Sequence, residues 1–299
     1  MKASLLGAAL VALYTILISS ADAITKLIAG GYAAPQLFCL SGLIVVALSL
    51  LVDRMPSQRQ GLRTRSPWAM TVRSGATVMA AVCFFNAFGA LPLADVFLYI
   101  GLMPLLSGLM SGLILREQVR PSAWFALTAG FIGVLSLFPG GLQAITTGHL
   151  FGLGAAVFGT LSIVMSRFIG RHESNVLAQV FYPNLALFVA MGAALPFVWV
   201  PMPLSDLVWV VVYAAVLFSA RWVLVLSLRT LAVYVVTPLM NLQFVWMVIL
   251  GAVFFGELPT TATLLGVAIV MASGLYLVWE QFAPEQTEDT FARNFKTDP

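Results

Sequence analysis

Apolar runs of about 18 to 25 residues, parted by short polar breaks, follow one another along most of the chain; the stretch from Asp53 to Pro67 is the one long polar break in its first half. An α-helix needs about 20 apolar residues to cross the hydrocarbon of a bilayer. The pattern therefore predicts an all-α membrane protein with ten transmembrane helices, at residues 3–28, 34–52, 68–90, 94–115, 121–138, 149–169, 175–198, 205–228, 233–255 and 260–281. A polar tail follows from Pro284, carrying Glu285, Glu288, Asp289, Arg293 and Lys296.

Composition identifies the solvent. Of 299 residues 61% are hydrophobic and 9% charged, against about 25% charged in soluble domains, and the mean hydropathy is +0.99. The net charge of +3 carries no nucleic-acid signal, because the basic residues are placed in loops. Cys39 and Cys83 both lie in apolar runs and read as buried thiols, with no disulfide framework or metal site. Met1-Lys2, the following apolar run and Ala21-Asp22-Ala23 resemble a cleavable signal, but the run exceeds a signal core and reads as a complete first span.

Charge placement gives an orientation. With the N-terminus in the cytoplasm, the inner side holds Lys2, Arg54, Arg59, Arg63, Arg65, Arg73, Arg116, Arg120, Arg167, Arg171, Arg229, Arg293 and Lys296. Lys26 sits at the outer end of the first span and Arg221 lies inside the eighth. Both termini are expected in the cytoplasm, and the protein in a plasma (bacterial inner) membrane.

Two segments echo each other. "FLYIGLMPLLSGLMSGLILRE" ends on Glu117 and "TPLMNLQFVWMVILGAVFFGE" on Glu257, 140 residues later; "PQLF" at 35–38 answers "AQVF" at 178–181. Each half then has five spans, over residues 1–140 and 141–283, with 284–299 as the tail. Five is odd, so the second copy enters from the opposite face, and inverted repeats accompany alternating-access transport around a midplane site.

The stretch "AVYVVTPLMNLQFVWMVILGAVFFGELP", together with "NAFGALPLADVFLYIGLMPLLSGLM", resembles the drug/metabolite transporter superfamily in its ten-helix EamA-like branch, and the resemblance covers about residues 5–280. The first span departs from it: Ile18-Ser19 replace the usual Trp-Gly and Asp22 stands where an aromatic is common, although Lys26 fits the family lysine. An arginine common in the second span is missing, with Ser41 nearby. The resemblance implies a central substrate cavity among spans one to four and six to nine, spans five and ten at the side as scaffold or homodimer contact, and kinship with exporters of aromatic and apolar amino acids.

Polar groups inside hydrocarbon are the first functional candidates. Asp22 and Lys26, four apart on one helix, can offer opposite charges to a zwitterion or simply pair with each other; Lys26 can also snorkel. Arg221 must face the bundle, toward a structural partner or a substrate. Phe85 and Asn86 share one side of the third span, and with Phe38, Tyr99 and Trp246 they can form an aromatic wall with one orienting amide. Gln243 suits either cavity contact or an interhelical hydrogen bond. Glu117 and Glu257 read as helix boundaries, and Pro104 and Pro238 as hinges.

No GxSxG, HExxH or P-loop occurs, and His149 and His172 sit at helix ends, so neither an enzyme nor a cofactor is expected. The leading expectation is a transporter exporting small metabolites, aromatic or apolar amino acids first, by alternating access. Two alternatives are a multidrug exporter of organic cations, with Asp22 as its carboxylate, and a membrane scaffold or receptor without transport.

Overall fold

Prolines and capping side chains set where the helices begin. The computed structural model describes residues 2–55, 61–91, 93–116 and 146–258, with isolated positions at 124, 128 and between 261 and 272. Helix α1 covers Lys2–Ala29; α2, Ala34–Arg54, and α3, Pro67–Ala90, each carry a proline in the first turn, where its missing N–H has no helical partner to lose. Helix α4, Leu93–Met110, runs on through a π turn, Ser111–Leu115. Helix α5, Thr147–His172, opens with a capping box in which Thr146 and His149 serve each other's backbone. Helix α6, Val176–Val198, is capped by Asn175, whose Oδ1 accepts from the Ala178 N–H at 3.0 Å. Helix α7 covers Leu204–Thr230. The predicted ninth span is broken in three: α8, Val233–Leu239, a 3₁₀ turn, Met240–Leu242, and α9, Gln243–Phe255.

Among the described residues seven helical segments are long and apolar enough to cross a membrane, and Tyr99–Leu115 is a shorter apolar one. Phe197 is 87% exposed and Leu113 84%; such side chains on the outer surface of an all-helical bundle fit contact with lipid. The chain is a multi-pass membrane protein. Apart from those isolated positions, the fifth and tenth predicted spans lie outside the described residues, as do Glu117 and the tail.

Helix partners follow a scheme. α3 packs on α5 and α1 on α7; α2 packs on α6; α3 also meets α6, as α2 meets α7; α4 meets α5, as α9 meets α1. Exchanging α1 with α5, α2 with α6, α3 with α7 and α4 with α9 leaves this scheme unchanged. The ends of α4 and α9 also match. Arg116 and Gly256, 140 residues apart, are both left-handed, at φ 53° and 65°, and their N–H groups bond back five residues, to Ser111 O and Gly251 O. Gly256 adopts this conformation without strain, whereas Arg116 carries a Cβ into it. Close approach is clearest where α5 meets α4: a Cβ on Gly152 would lie 2.3 Å from the Tyr99 ring.

Polar bonds tie both ends of the bundle. At the end holding the loops at 30–33 and 199–203, Gln36 Nε2 donates to Val200 O (2.7 Å), Val200 N donates to Gln36 Oε1 (3.1 Å), and the Tyr32 hydroxyl donates to Asp206 Oδ2 (2.5 Å). At the opposite end of α2 and α6, Glu173 accepts from the Thr64 hydroxyl (2.8 Å) and Arg65 N–H (2.5 Å), while Asn175 Nδ2 donates to Gly61 O (2.6 Å).

Arg73 corrects one sequence assignment. Its position in the chain groups it with the inner-side charges, but it lies in the second turn of α3 and is 6% exposed. Six residues from Pro67 is only about 9 Å of helix, near enough to the interface to pass for a loop charge by sequence position.

Candidate functional site

Four helical stripes meet around a cavity of about 180 Å³. α1 contributes Tyr14, Ile18, Asp22 and Thr25; α3 contributes Arg73, Thr77, Ala80, Ala81, Phe84 and Phe88; α7 contributes Tyr213, Leu217, Arg221 and Leu224; α5 contributes Gly159, Ser162, Ile163 and Ser166. Steps of three and four put each set on one helix face. Phe38, Ile100, Met103, Pro183, Met240 and Gln243 complete the lining. Position for position, Arg73, Thr77, Ala81 and Phe84 stand 140 residues before Tyr213, Leu217, Arg221 and Leu224, and Ile100 and Met103 stand 140 before Met240 and Gln243.

Two guanidiniums and one carboxylate share this space. Arg73 Nη1 donates to Gln179 Oε1, which also accepts from the Ser166 hydroxyl at 2.7 Å. Gln179 is 1% exposed, so its carbonyl is a fixed acceptor for both. Gln243 Nε2 donates to Asp22 Oδ2 at 2.6 Å, and its backbone carbonyl accepts from the Ser19 hydroxyl at 3.2 Å. The 3₁₀ turn makes this possible: three residues at 120° instead of 100° rotate α9 by about 60° relative to an unbroken helix. Arg73 Nε and Arg221 Nη1 are buried without a hydrogen-bond partner among the described residues. A buried unsatisfied donor costs about 1–3 kcal/mol, and more when charged.

The charges are separated along the bundle. Asp22 is about 10 Å from the end of α1, at the 30–33 end. Arg73 is about 9 Å from the start of α3 and Arg221 about 13 Å from the end of α7, both counted from the opposite end. Aromatic side chains lie between and around them: Phe84 stacks on Phe88 with centroids 5.8 Å apart, and Phe38 lies 6.4 Å from Tyr213.

Of the residues expected from sequence, Asp22, Phe38 and Gln243 line the cavity, and Arg221 does so as well. Lys26, Phe85, Asn86, Tyr99 and Trp246 are placed elsewhere. Lys26 pairs neither with Asp22 nor with the cavity: its Nζ meets Glu257 Oε1 at 2.5 Å and lies 5.4 Å from the Phe255 ring centroid. Phe85 sits one residue past the cavity stripe, so about 100° of helical rotation turns it onto Phe38 from outside, at 5.7 Å. Asn86 donates to Val82 O of its own helix at 2.8 Å, Tyr99 packs against Gly152, and Trp246 is half-buried outside the lining. Pro104 lies inside α4, where Ser107 donates to its carbonyl at 2.8 Å and meets the Thr237 hydroxyl at 2.7 Å. Pro238 lies in the helical segment just before the 3₁₀ turn. Sequence reading missed Tyr14, Arg73, Thr77, Phe84, Phe88 and Tyr213. The three-and-four spacing of polar and aromatic positions in α3 and α7 was the signal that could have found them.

Known proteins share parts of this sequence. No family model matches the chain. The riboflavin transporter of Vibrio cholerae is 27% identical over 180 residues, 59% of this chain and 60% of that protein, so the chain spans less than two thirds of its length. The riboflavin transporter of Rhizobium johnstonii is 22% identical over 231 residues, 75% of this chain and 74% of its own. The pseudopaline exporter of Pseudomonas aeruginosa is 24% identical over 244 residues, 79% and 82% of the two chains. These relatives are transporters. A crystal structure of a protein aligns with 94% of this chain and 99% of its own at a TM-score of 0.72 and 20% identity, and so shares the fold.

Proposed function

We propose that this chain is an inner-membrane carrier of small metabolites, working by alternating access to the central cavity. The observation that carries the reading is the cavity itself, where charged and amide groups converge from α1, α3, α7 and α9 in a bundle whose outer surface is apolar. The similarity to riboflavin transporters and a pseudopaline exporter supports it.

An inverted repeat of residues 1–140 and 141–283 is supported by the exchangeable packing scheme, the matched ends at Arg116 and Gly256, and lining positions 140 residues apart. Rocking of the halves would break the polar ties at one end while keeping those at the other. The positive-inside pattern supports a cytoplasmic location for both termini and the 284–299 tail. A homodimer would use the fifth and tenth spans.

Aromatic or apolar amino acids are the finer reading of substrate. At 180 Å³ the cavity is smaller than the roughly 300–1,000 Å³ of drug-sized sites, and it combines aromatic walls with charges of both signs. The organic-cation alternative is disfavoured by Arg73 and Arg221, which outnumber the single carboxylate among the described lining residues. Uptake of labelled phenylalanine into liposomes holding the purified full chain tests the proposal. Accumulation above empty liposomes, saturable by unlabelled phenylalanine, is the expected result. No uptake of phenylalanine, threonine or riboflavin above empty liposomes would refute transport and leave the scaffold reading.

A further inference from the structure

Resting on the reading of the cavity as a substrate site, we propose that Arg221, backed by Arg73, is a receptor for the oxyanion of the substrate, so that a carboxylate is an obligatory part of the transported molecule. Three observations carry this. Arg221 Nη1 and Arg73 Nε are buried donors without a hydrogen-bond partner among the described residues, although both side chains line the same cavity. Gln179 fixes the Arg73 guanidinium by accepting from its Nη1, leaving Nε unsatisfied. Asp22, the one acidic side chain among the described lining residues, already accepts from Gln243 at 2.6 Å and stands nearer the opposite end of the bundle.

Guanidinium suits this role. Its planar fork of donors matches the two oxygens of a carboxylate, and it stays charged at any pH the membrane meets. The structure thereby moves the cationic half of the site from Lys26, which is engaged by Glu257, to the arginines.

The test compares three probes of one shape: phenylalanine, 3-phenylpropanoate, which lacks the ammonium, and phenethylamine, which lacks the carboxylate. Binding is read on the detergent-purified full chain by ligand-induced thermal stabilisation, and transport by competition against labelled phenylalanine in liposomes. Both carboxylates should bind, with phenethylamine at least about tenfold weaker. Arg221→Gln should lose about tenfold or more for both carboxylates and nothing for phenethylamine, while Arg221→Lys keeps an intermediate affinity. An unchanged elution profile and ligand-free melting temperature establish that the variants fold; a variant that fails this check is replaced by Arg73→Gln, for which the same selective loss is expected. Phenethylamine competing as well as phenylalanine, equal loss for all three probes, or no binding of either carboxylate overturns the proposal. Carboxylate binding without any uptake would refute transport and leave the receptor standing; uptake with equal competition by the amine would do the reverse.

Discussion

Gln179 Oε1 receives two donors at once, from the Arg73 guanidinium and the Ser166 hydroxyl. Gln179→Leu keeps most of the volume and removes the acceptor, stranding both donors in a buried site. A loss of about 1–3 kcal/mol for each should appear as a lower thermal midpoint in detergent, and an unchanged midpoint would mean that another group holds Arg73. Tyr32 gives a pH signature at the bundle end. Its hydrogen bond to Asp206, then burial and then the neighbouring negative charge, raise the phenol above its ordinary value of 10. A raised value means that the bond's contribution is fully present below about pH 10 and is lost as pH climbs through the folded value. Midpoints measured against pH should thus stay level through neutrality and fall in alkali, with the alkaline fall reduced in Tyr32→Phe.

At the scale of helices, contact between α4 and α5 depends on what Gly152 lacks. Gly152→Ala drives a methyl into the Tyr99 ring and should destabilise by about 1–3 kcal/mol; adding Tyr99→Leu should recover most of the loss in the same melting experiment. Pro238 precedes the turn that swings Gln243 toward Asp22. Pro238→Ala permits a continuous helix, and the expected result is weaker substrate binding, seen as a raised KM for uptake. Helix positions were legible in the sequence because hydrocarbon thickness fixes the length of an apolar run. The cavity face was not, because lipid and protein interior reward the same apolar side chains; Phe85 and Phe84 differ by one residue and point to different surroundings. Arg73 was hidden by its nearness to a loop, and Lys26 by a partner 231 residues away.

Over the whole molecule, Lys26–Glu257 joins α1 to the end of α9 at the 30–33 end, with the Lys26 side chain 15% exposed and Glu257 33%. If that end opens during transport, Glu257→Gln should shift the population toward the open form, read as faster labelling of a cysteine introduced at Thr25, and the paired exchange Lys26→Glu with Glu257→Lys should restore the slow rate. Slow labelling in Glu257→Gln would show that this contact does not hold the mouth shut.

The separation of Asp22 from Arg73 and Arg221 along the helices has an electrical consequence. Bound charge in a membrane feels the transmembrane potential, about 2.3 kcal/mol per elementary charge per 100 mV. A zwitterion brings no net charge into that field, whereas 3-phenylpropanoate brings one. A potassium diffusion potential imposed across the liposomes should therefore alter phenylpropanoate uptake much more than phenylalanine uptake, making voltage a gauge of which charges travel with the substrate.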